Sequence, residues 1–249
     1  HYRLDRAEQI INTLPENVRS QATWRVDFLK EFKIESDQFQ SLKSLNKPDD
    51  NGLGDYLYHL NWGDYYFYIT LDQNIKAMAE YQKAMAIAYN KNDTMLIGEV
   101  LKRILTLHRV HYLYNNKTYK PYLKDFRANI YDQLEEAYYH YFNTEAWSEE
   151  SYTFLKNYFK THQNPYLQGI SETVFASYFE EIKQPDSIWH YSLSARDQLN
   201  SIPYGYKGTR LNQIYSFMSR IALQEKNFSA ASVYTDSATV TYYNSIDLK

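Results

Sequence analysis

In the stretch "LDQNIKAMAEYQKAMAIA", residues 71–88, Ala77 and Ala84 stand seven apart with Tyr81 between them. Seven residues is about two helical turns, so both methyl groups lie on one helix face. Immediately before it, "DYYFYI" crowds rings together, and Tyr68 lies nine residues ahead of Ala77. A single amphipathic helix has no use for rings at one end and methyl groups at the other. Two packed helices do, when one supplies the wedge and the other the narrow surface it rests on. The separation recurs in Ala231 and Ala238 of "NFSAASVYTDSA", with the small Ser219 twelve residues before Ala231. It recurs again in Ile188 and Ala195 of "PDSIWHYSLSA", with Ala176 twelve before Ile188 and Phe179 three after Ala176.

Breaks between helices are few, because only 7 Gly and 6 Pro occur in 249 residues, which argues against a turn-dense β fold. Helical patterns are expected in "RLDRAEQIINTL", in "ENVRSQATWRVDFLKEF" after Pro15, and in "DQFQSLKSLNK", with "KPDDNGLGD" as the clearest loop. Further helices are predicted near 54–70, 72–91, 94–114, 148–162, 166–183, 186–200, 207–225 and 227–243. Between them Pro121 is expected in a first helical turn, where its missing N–H costs nothing. No strand pattern stands apart from the helical ones. Tyr is the outlying count at 27, and its ring with a polar tip suits helix surfaces that are half core and half wet.

The spacing of small residues resembles the tetratricopeptide repeat (TPR) family, whose unit is a helix hairpin with small residues where the helices cross. "NFSAASVYTDSA" and "LDQNIKAMAEYQKAMAIA" are similar to its second helix, with the lead-in of polar residue, aromatic and alanine in Asn227, Phe228 and Ala231. Tyr65 stands where the family has a small residue, and Ile188 replaces an alanine. The Tyr- and Asn-rich texture is similar to sensory TPR regions of bacterial sensor histidine kinases and helix-turn-helix regulators. The resemblance implies an all-α fold: a right-handed superhelical solenoid of about six stacked antiparallel helix hairpins. It implies a single domain over 1–249, with divergent N-terminal helices in 1–47 and TPR-like hairpins in 54–249.

A net charge of −3 and a pI near 6.2 argue against nucleic-acid binding. No run of about 18 apolar residues is present, so no membrane insertion is expected within this segment. The start "HYRLDRAEQ", without Met or an apolar signal core, reads as a processed or excised piece. The absence of Cys removes disulfides and thiolate chemistry and decides neither cytosol nor periplasm; the compartment is left open, with the periplasm slightly preferred.

Catalytic constellations are weak. His108 and His111 share a helix face but lack the acidic residue and third ligand of a zinc site. Glu136 and His140 are four apart, a routine helix pair with no nucleophile alongside. "SIPYGYKGTR", with Lys207 and Arg210, lacks the spacing of a phosphate loop. No metal, no cofactor and no enzymatic activity are therefore expected. The candidate binding residues are instead the rings Trp62 and Tyr66 and the cations Lys102, Arg103, Arg109 and Arg220, read as one concave wall for a protein or peptide partner. Lys102, Arg103 and Arg109 share one helix with no acidic partner four residues away except Glu99 near Arg103, so they look poorly neutralised locally and binding is expected to weaken with salt. Homodimerisation is a further possible mode of association. A small-ligand or glycan-binding helical surface lipoprotein, stacking sugars on Trp and Tyr, is the alternative reading.

Overall fold

A computed structural model describes residues 4–31, 36–48, 52–69, 73–110, 116–144, 147–202 and 208–246. Among them the fold is all-α, with thirteen helices and no strand. The chain divides into two compact units, one holding Tyr2–Phe142 and the other Asn143–Lys249.

The first unit contains α1 (Leu4–Ile11), α2 (Glu16–Glu31), α3 (Ser36–Ser44), α4 (Leu53–Ile69), α5 (Asn74–Asn90), α6 (Thr94–Val110), α7 (Asn116–Ala128) and α8 (Gln133–Asn143), whose last residue falls in the other unit. Its central helix is α4, which packs on α2, α3, α5 and α6. Ala77 and Ala84 of α5 are fully buried, as is Tyr81 between them, so the narrow face expected from the sequence is an interior face. The closest approach of α4 falls at Gly63, two residues before Tyr65. A Cβ there would lie 2.4 Å from Tyr81 Cε1, so only glycine admits the ring. Pro121 is an interior residue of α7, well beyond the first turn expected for it. The helix begins earlier because Tyr119 is an anchor: it is buried, and its hydroxyl donates to Phe142 O at 2.9 Å. Burial of the Tyr119 ring together with this bond offsets the lost backbone hydrogen bond and the steric cost of an interior proline.

The second unit contains α9 (Glu149–Thr161), α10 (Pro165–Glu181), α11 (Pro185–Asn200), α12 (Gly208–Gln224) and α13 (Phe228–Ile246). Side-chain caps set two of the starts: Ser148 accepts from Ser151 N, and Asn164 accepts from Leu167 N with Pro165 in the first turn. α10 packs on α11, α11 on α12, and α12 on α13. The two pairs α10–α11 and α12–α13 share one register at an offset of 43 residues (183 to 226, 188 to 231, 195 to 238). Ala176, Ile188 and Ala195 of the first pair are buried, and so are Ser219, Ala231 and Ala238 of the second. At the tightest point Gly169 abuts Leu199 and the Ala195 carbonyl. The corresponding Asn212 uses the same place differently, donating Nδ2 to Ala238 O at 2.9 Å.

Three helix ends turn in the same way. Asn92, Lys183 and Lys226 adopt φ of 53°, 57° and 60° after α5, α10 and α12. In each case the next N–H closes back onto the helix: Asp93 to Ala88 O, Gln184 to Phe179 O and Asn227 to Ala222 O. This is the left-handed C-terminal motif usually made by glycine. Its use of Asn and Lys explains how so many helices can end in a glycine-poor chain.

Two stability measurements follow from these contacts. Ala238→Leu should overpack the α12–α13 contact and cost about 1–3 kcal/mol, read by urea denaturation. Lys226→Gly should raise stability by about 0.5–1 kcal/mol, because the exposed lysine pays a left-handed backbone strain that glycine does not.

Candidate functional site

The four residues "NWGD", 61–64, give α4 two faces. Asn61 and Asp64 are buried, whereas Trp62 is only half-buried. Gly63 brings the Tyr81 ring against the helix, and the Tyr81 hydroxyl donates to Asp64 Oδ1 at 2.7 Å. From α2, Arg25 Nη2 donates to Asp64 Oδ2 at 2.7 Å and Nη1 to Asn61 Oδ1 at 3.1 Å. Asn61 in turn donates to the backbone and side-chain oxygens of Gln21. From α6, Arg103 Nε donates to both Asp64 oxygens at 3.1 and 3.3 Å. One carboxylate thus ties together α2, α4, α5 and α6.

The cluster continues outward. Arg103 Nη1 donates to the Glu99 carbonyl and carboxylate, and Lys102 donates to Glu99 and, at 2.7 Å, to Glu135 Oε1 of α8. Gly98 leaves room for the Glu135 carboxylate, since a Cβ there would sit 3.2 Å from its Oε2. Burial works against the Asp64 carboxylate, but Arg103 and then Arg25 outweigh it, and its pKa falls below the ordinary value. Burial likewise opposes Glu99, but Lys102 and Arg103 hold its pKa at about 2. Burial and the Asp64 charge push the Tyr81 phenol far up, keeping it a donor. For Glu135, burial prevails over Lys102 and raises the carboxyl.

Over this cluster α4 carries a strip of rings. Tyr58, Trp62, Tyr65 and Tyr66 are all half-buried and touch in sequence, with centroid distances of 6.4 Å from Tyr58 to Trp62, 5.4 Å from Trp62 to Tyr66 and 5.8 Å from Tyr65 to Tyr66. Lys76 sits over the Tyr66 ring at 5.5 Å. Below Tyr58, His59 Nδ1 meets Glu80 Oε2 at 2.6 Å, joining α4 to α5. Trp62 and Tyr65 also pack against the buried Trp24, Phe28 and Leu42, so Trp62 is partly a core residue and Tyr66 the more independent ring.

The candidate residues therefore have different surroundings. Trp62 and Tyr66 are adjacent, as the sequence suggested. The expectation that Lys102 and Arg103 are poorly neutralised is corrected: Lys102 is paired with Glu99 and Glu135, and Arg103 with Asp64 and Glu99. Arg109 Nη1 donates to Tyr141 O at 2.5 Å, and its guanidinium lies 4.2 Å from the Tyr141 ring centroid. Arg220 belongs to the second unit, where it pairs with Glu180 and lies over Phe217. His108 is buried beside Tyr119 and Tyr122, while His111 and Lys207 lie outside the described residues, as do residues 49–51 of the expected loop. Asn61, Gly63 and Asp64 were missed in the sequence, although two polar residues three apart on an otherwise buried face were a visible signal.

Among the described residues no helix is long and apolar enough to cross a membrane, and no group of three or more His, Asp or Glu is placed to hold a metal ion. Comparison with protein-family models, curated proteins and solved structures finds no match.

Asp64→Asn should cost about 3–5 kcal/mol, since it leaves Arg25 and Arg103 without their shared buried counter-charge. Asp64 and Glu99 have depressed pKa values, so their stabilisation is present above the ordinary carboxylate range and is lost as pH falls through their folded values. Glu135, shifted upward, contributes with the opposite sign. The urea midpoint should fall between about pH 5 and pH 2, less steeply in Asp64→Asn than in the parent.

Proposed function

We propose that the chain is a non-catalytic, TPR-like helical repeat that holds a protein or peptide partner, as the sensory or interaction region of a bacterial signalling protein. The observation that carries this reading is the half-buried ring strip Tyr58–Trp62–Tyr65–Tyr66 on α4. Rings held by neighbours below and open to solvent above lose little freedom on contact, which is why aromatics dominate binding energy in such surfaces. Repeat architecture is supported by the 43-residue register shared by two helix pairs and by the three matching left-handed turns. A right-handed solenoid of about six hairpins is the arrangement that such pairs form when stacked.

The electrostatics alter the expected mode of binding. Lys102 and Arg103 are committed to internal carboxylates, so the partner is held by rings, and salt has a smaller effect than free cations would give. An extended peptide with aromatic or aliphatic anchors suits the strip.

Selecting binders from a displayed library of random peptides tests the reading. Tyr66→Ala should weaken the selected peptides about tenfold or more without shifting the melting temperature, whereas Lys102→Met should shift melting and leave affinity nearly unchanged. Peptides that bind Tyr66→Ala as well as the parent chain would refute it. Enrichment of oligosaccharides and no peptides in a parallel glycan screen would favour the lipoprotein alternative.

A further inference from the structure

A second site lies in the other compact unit. Between α9, α10 and α11 there is a cavity of about 230 Å³. Its floor is formed by Glu172, Phe175 and Tyr191, all buried, and Gln168 stands beside them. The exposed Lys156, Lys160 and His190 line its solvent side.

The floor carries an unsatisfied carboxylate. Glu172 is 8% exposed; its Oε1 accepts from Gln168 Nε2 at 2.9 Å, while Oε2 is buried and makes no hydrogen bond of ordinary geometry. Burial raises the Glu172 pKa, outweighing the donors Gln168 and then Ser194, which favour the ionised carboxyl. Buried polar groups normally find partners, so an unpartnered carboxylate oxygen on a residue that lines a cavity needs a reason. The Tyr191 hydroxyl is already bonded to that of Tyr152 at 2.5 Å, which leaves its ring as the surface offered to the cavity.

The repeat register shows that the fold does not require these groups. At the 43-residue offset, Gln168, Ser171, Glu172 and His190 correspond to Leu211, Ile214, Tyr215 and Val233 of α12 and α13. The same scaffold position is apolar or aromatic in one pair and polar in the other. Leu211 and Ile214 are buried core residues, whereas Val233 is exposed like His190, so the departure that counts is a polar side chain at a place the other pair fills with apolar core, as expected at functional sites.

We infer that the α9–α10–α11 cavity binds a small zwitterion of free amino-acid size, its ammonium on Glu172 Oε2 and its carboxylate toward Lys156 and Lys160. An ammonium is a donor without an acceptor, which is what an orphaned carboxylate oxygen lacks. Phe159, Phe175 and Tyr191 supply apolar and aromatic walls for a side chain and for the cation. Lys156 lies over the Tyr152 ring at 5.0 Å and Lys160 donates to Asn157 Oδ1 at 2.9 Å; neither is in an ion pair among the described residues, and both are exposed. The volume falls below the roughly 300–1,000 Å³ of ordinary ligand pockets, which favours a ligand of amino-acid size over a nucleotide or an oligosaccharide. This site is independent of the ring strip on α4, and either can fail without the other.

The test is saturation-transfer NMR on the full chain with the twenty common amino acids as probes, followed by titration of L-phenylalanine and L-leucine. At least one aliphatic or aromatic amino acid should bind, and Glu172→Gln should weaken it about tenfold or more by loss of the charge-assisted bond. L-Phenylalaninamide, which keeps the ammonium, should bind more weakly than L-phenylalanine to the parent chain and equally weakly to Lys156→Met/Lys160→Met. 3-Phenylpropionate, which lacks the ammonium, should not bind. Glu172→Gln should melt no lower than the parent, because it removes a buried carboxyl; were it to unfold, the amide and propionate comparison on the parent chain still decides. Absence of binding by all twenty amino acids, or 3-phenylpropionate binding as tightly as L-phenylalanine, would overturn the inference.

Discussion

One buried carboxylate organises the first unit. Asp64 accepts from Tyr81, Arg25 and Arg103, and through them α2, α4, α5 and α6 share a single charge cluster. A buried ion cluster adds little net stability over a well-packed apolar core, but it is costly to break and it specifies register. Each helix must present its partner at one height and one rotation, or a charge is left bare. Gly63 is the geometric condition for this, because any side chain there would displace the Tyr81 ring from the carboxylate. The same helix then has Trp62, Tyr65 and Tyr66 left for its other face, and their half-exposure follows from what Asn61 and Asp64 occupy.

The second unit is held by repetition. Two helix pairs in the same register close on small residues, and left-handed turns of Lys rather than Gly end α10 and α12. The turns match, and so do most of the crossings, although Asn212 stands where the first pair has Gly169 and Ala231 where it has Ile188. Where the pairs need not match, one carries apolar or aromatic residues and the other Gln168, Ser171, Glu172 and His190. Such a scaffold separates the residues that build it from those free to acquire a ligand, which is the general condition for function to be placed on a repeat.

Much of the fold was legible locally. Period-3.6 patterning and the few breakers located α4–α6 and α9–α13 to within a few residues, and alanines seven apart identified the buried faces of α5 and α13. Glu99, three and four residues before Lys102 and Arg103, was within reach of a helix window, but the partners that complete their neutralisation, Glu135 and Asp64, lie 33 and 39 residues away and were not legible. The small residue at the α4–α5 approach was sought at Tyr65 and sits at Gly63, since the spacing of two packed helices depends on loop length as well as on repeat period. Pro121 was assigned a helix start on propensity alone, and the buried Tyr119 overrode it. Trp62 and Tyr66 were singled out because rings at helical spacing leave a visible signal, whereas Tyr58 and Tyr65, which complete the strip, were not. The Glu172 cavity was not legible, because its three walls meet only in the folded unit.

The claim on which the account of the first unit rests is that Arg103 is an internal counter-ion to Asp64 and unavailable to a partner. A double-mutant cycle of Asp64→Asn and Arg103→Met, read by urea denaturation near neutral pH, measures that directly. The account predicts strong non-additivity, with a coupling of about 1–3 kcal/mol between the two positions. Single-variant losses that add to within about 0.5 kcal/mol would contradict it and would return Arg103 to the surface as a free cation.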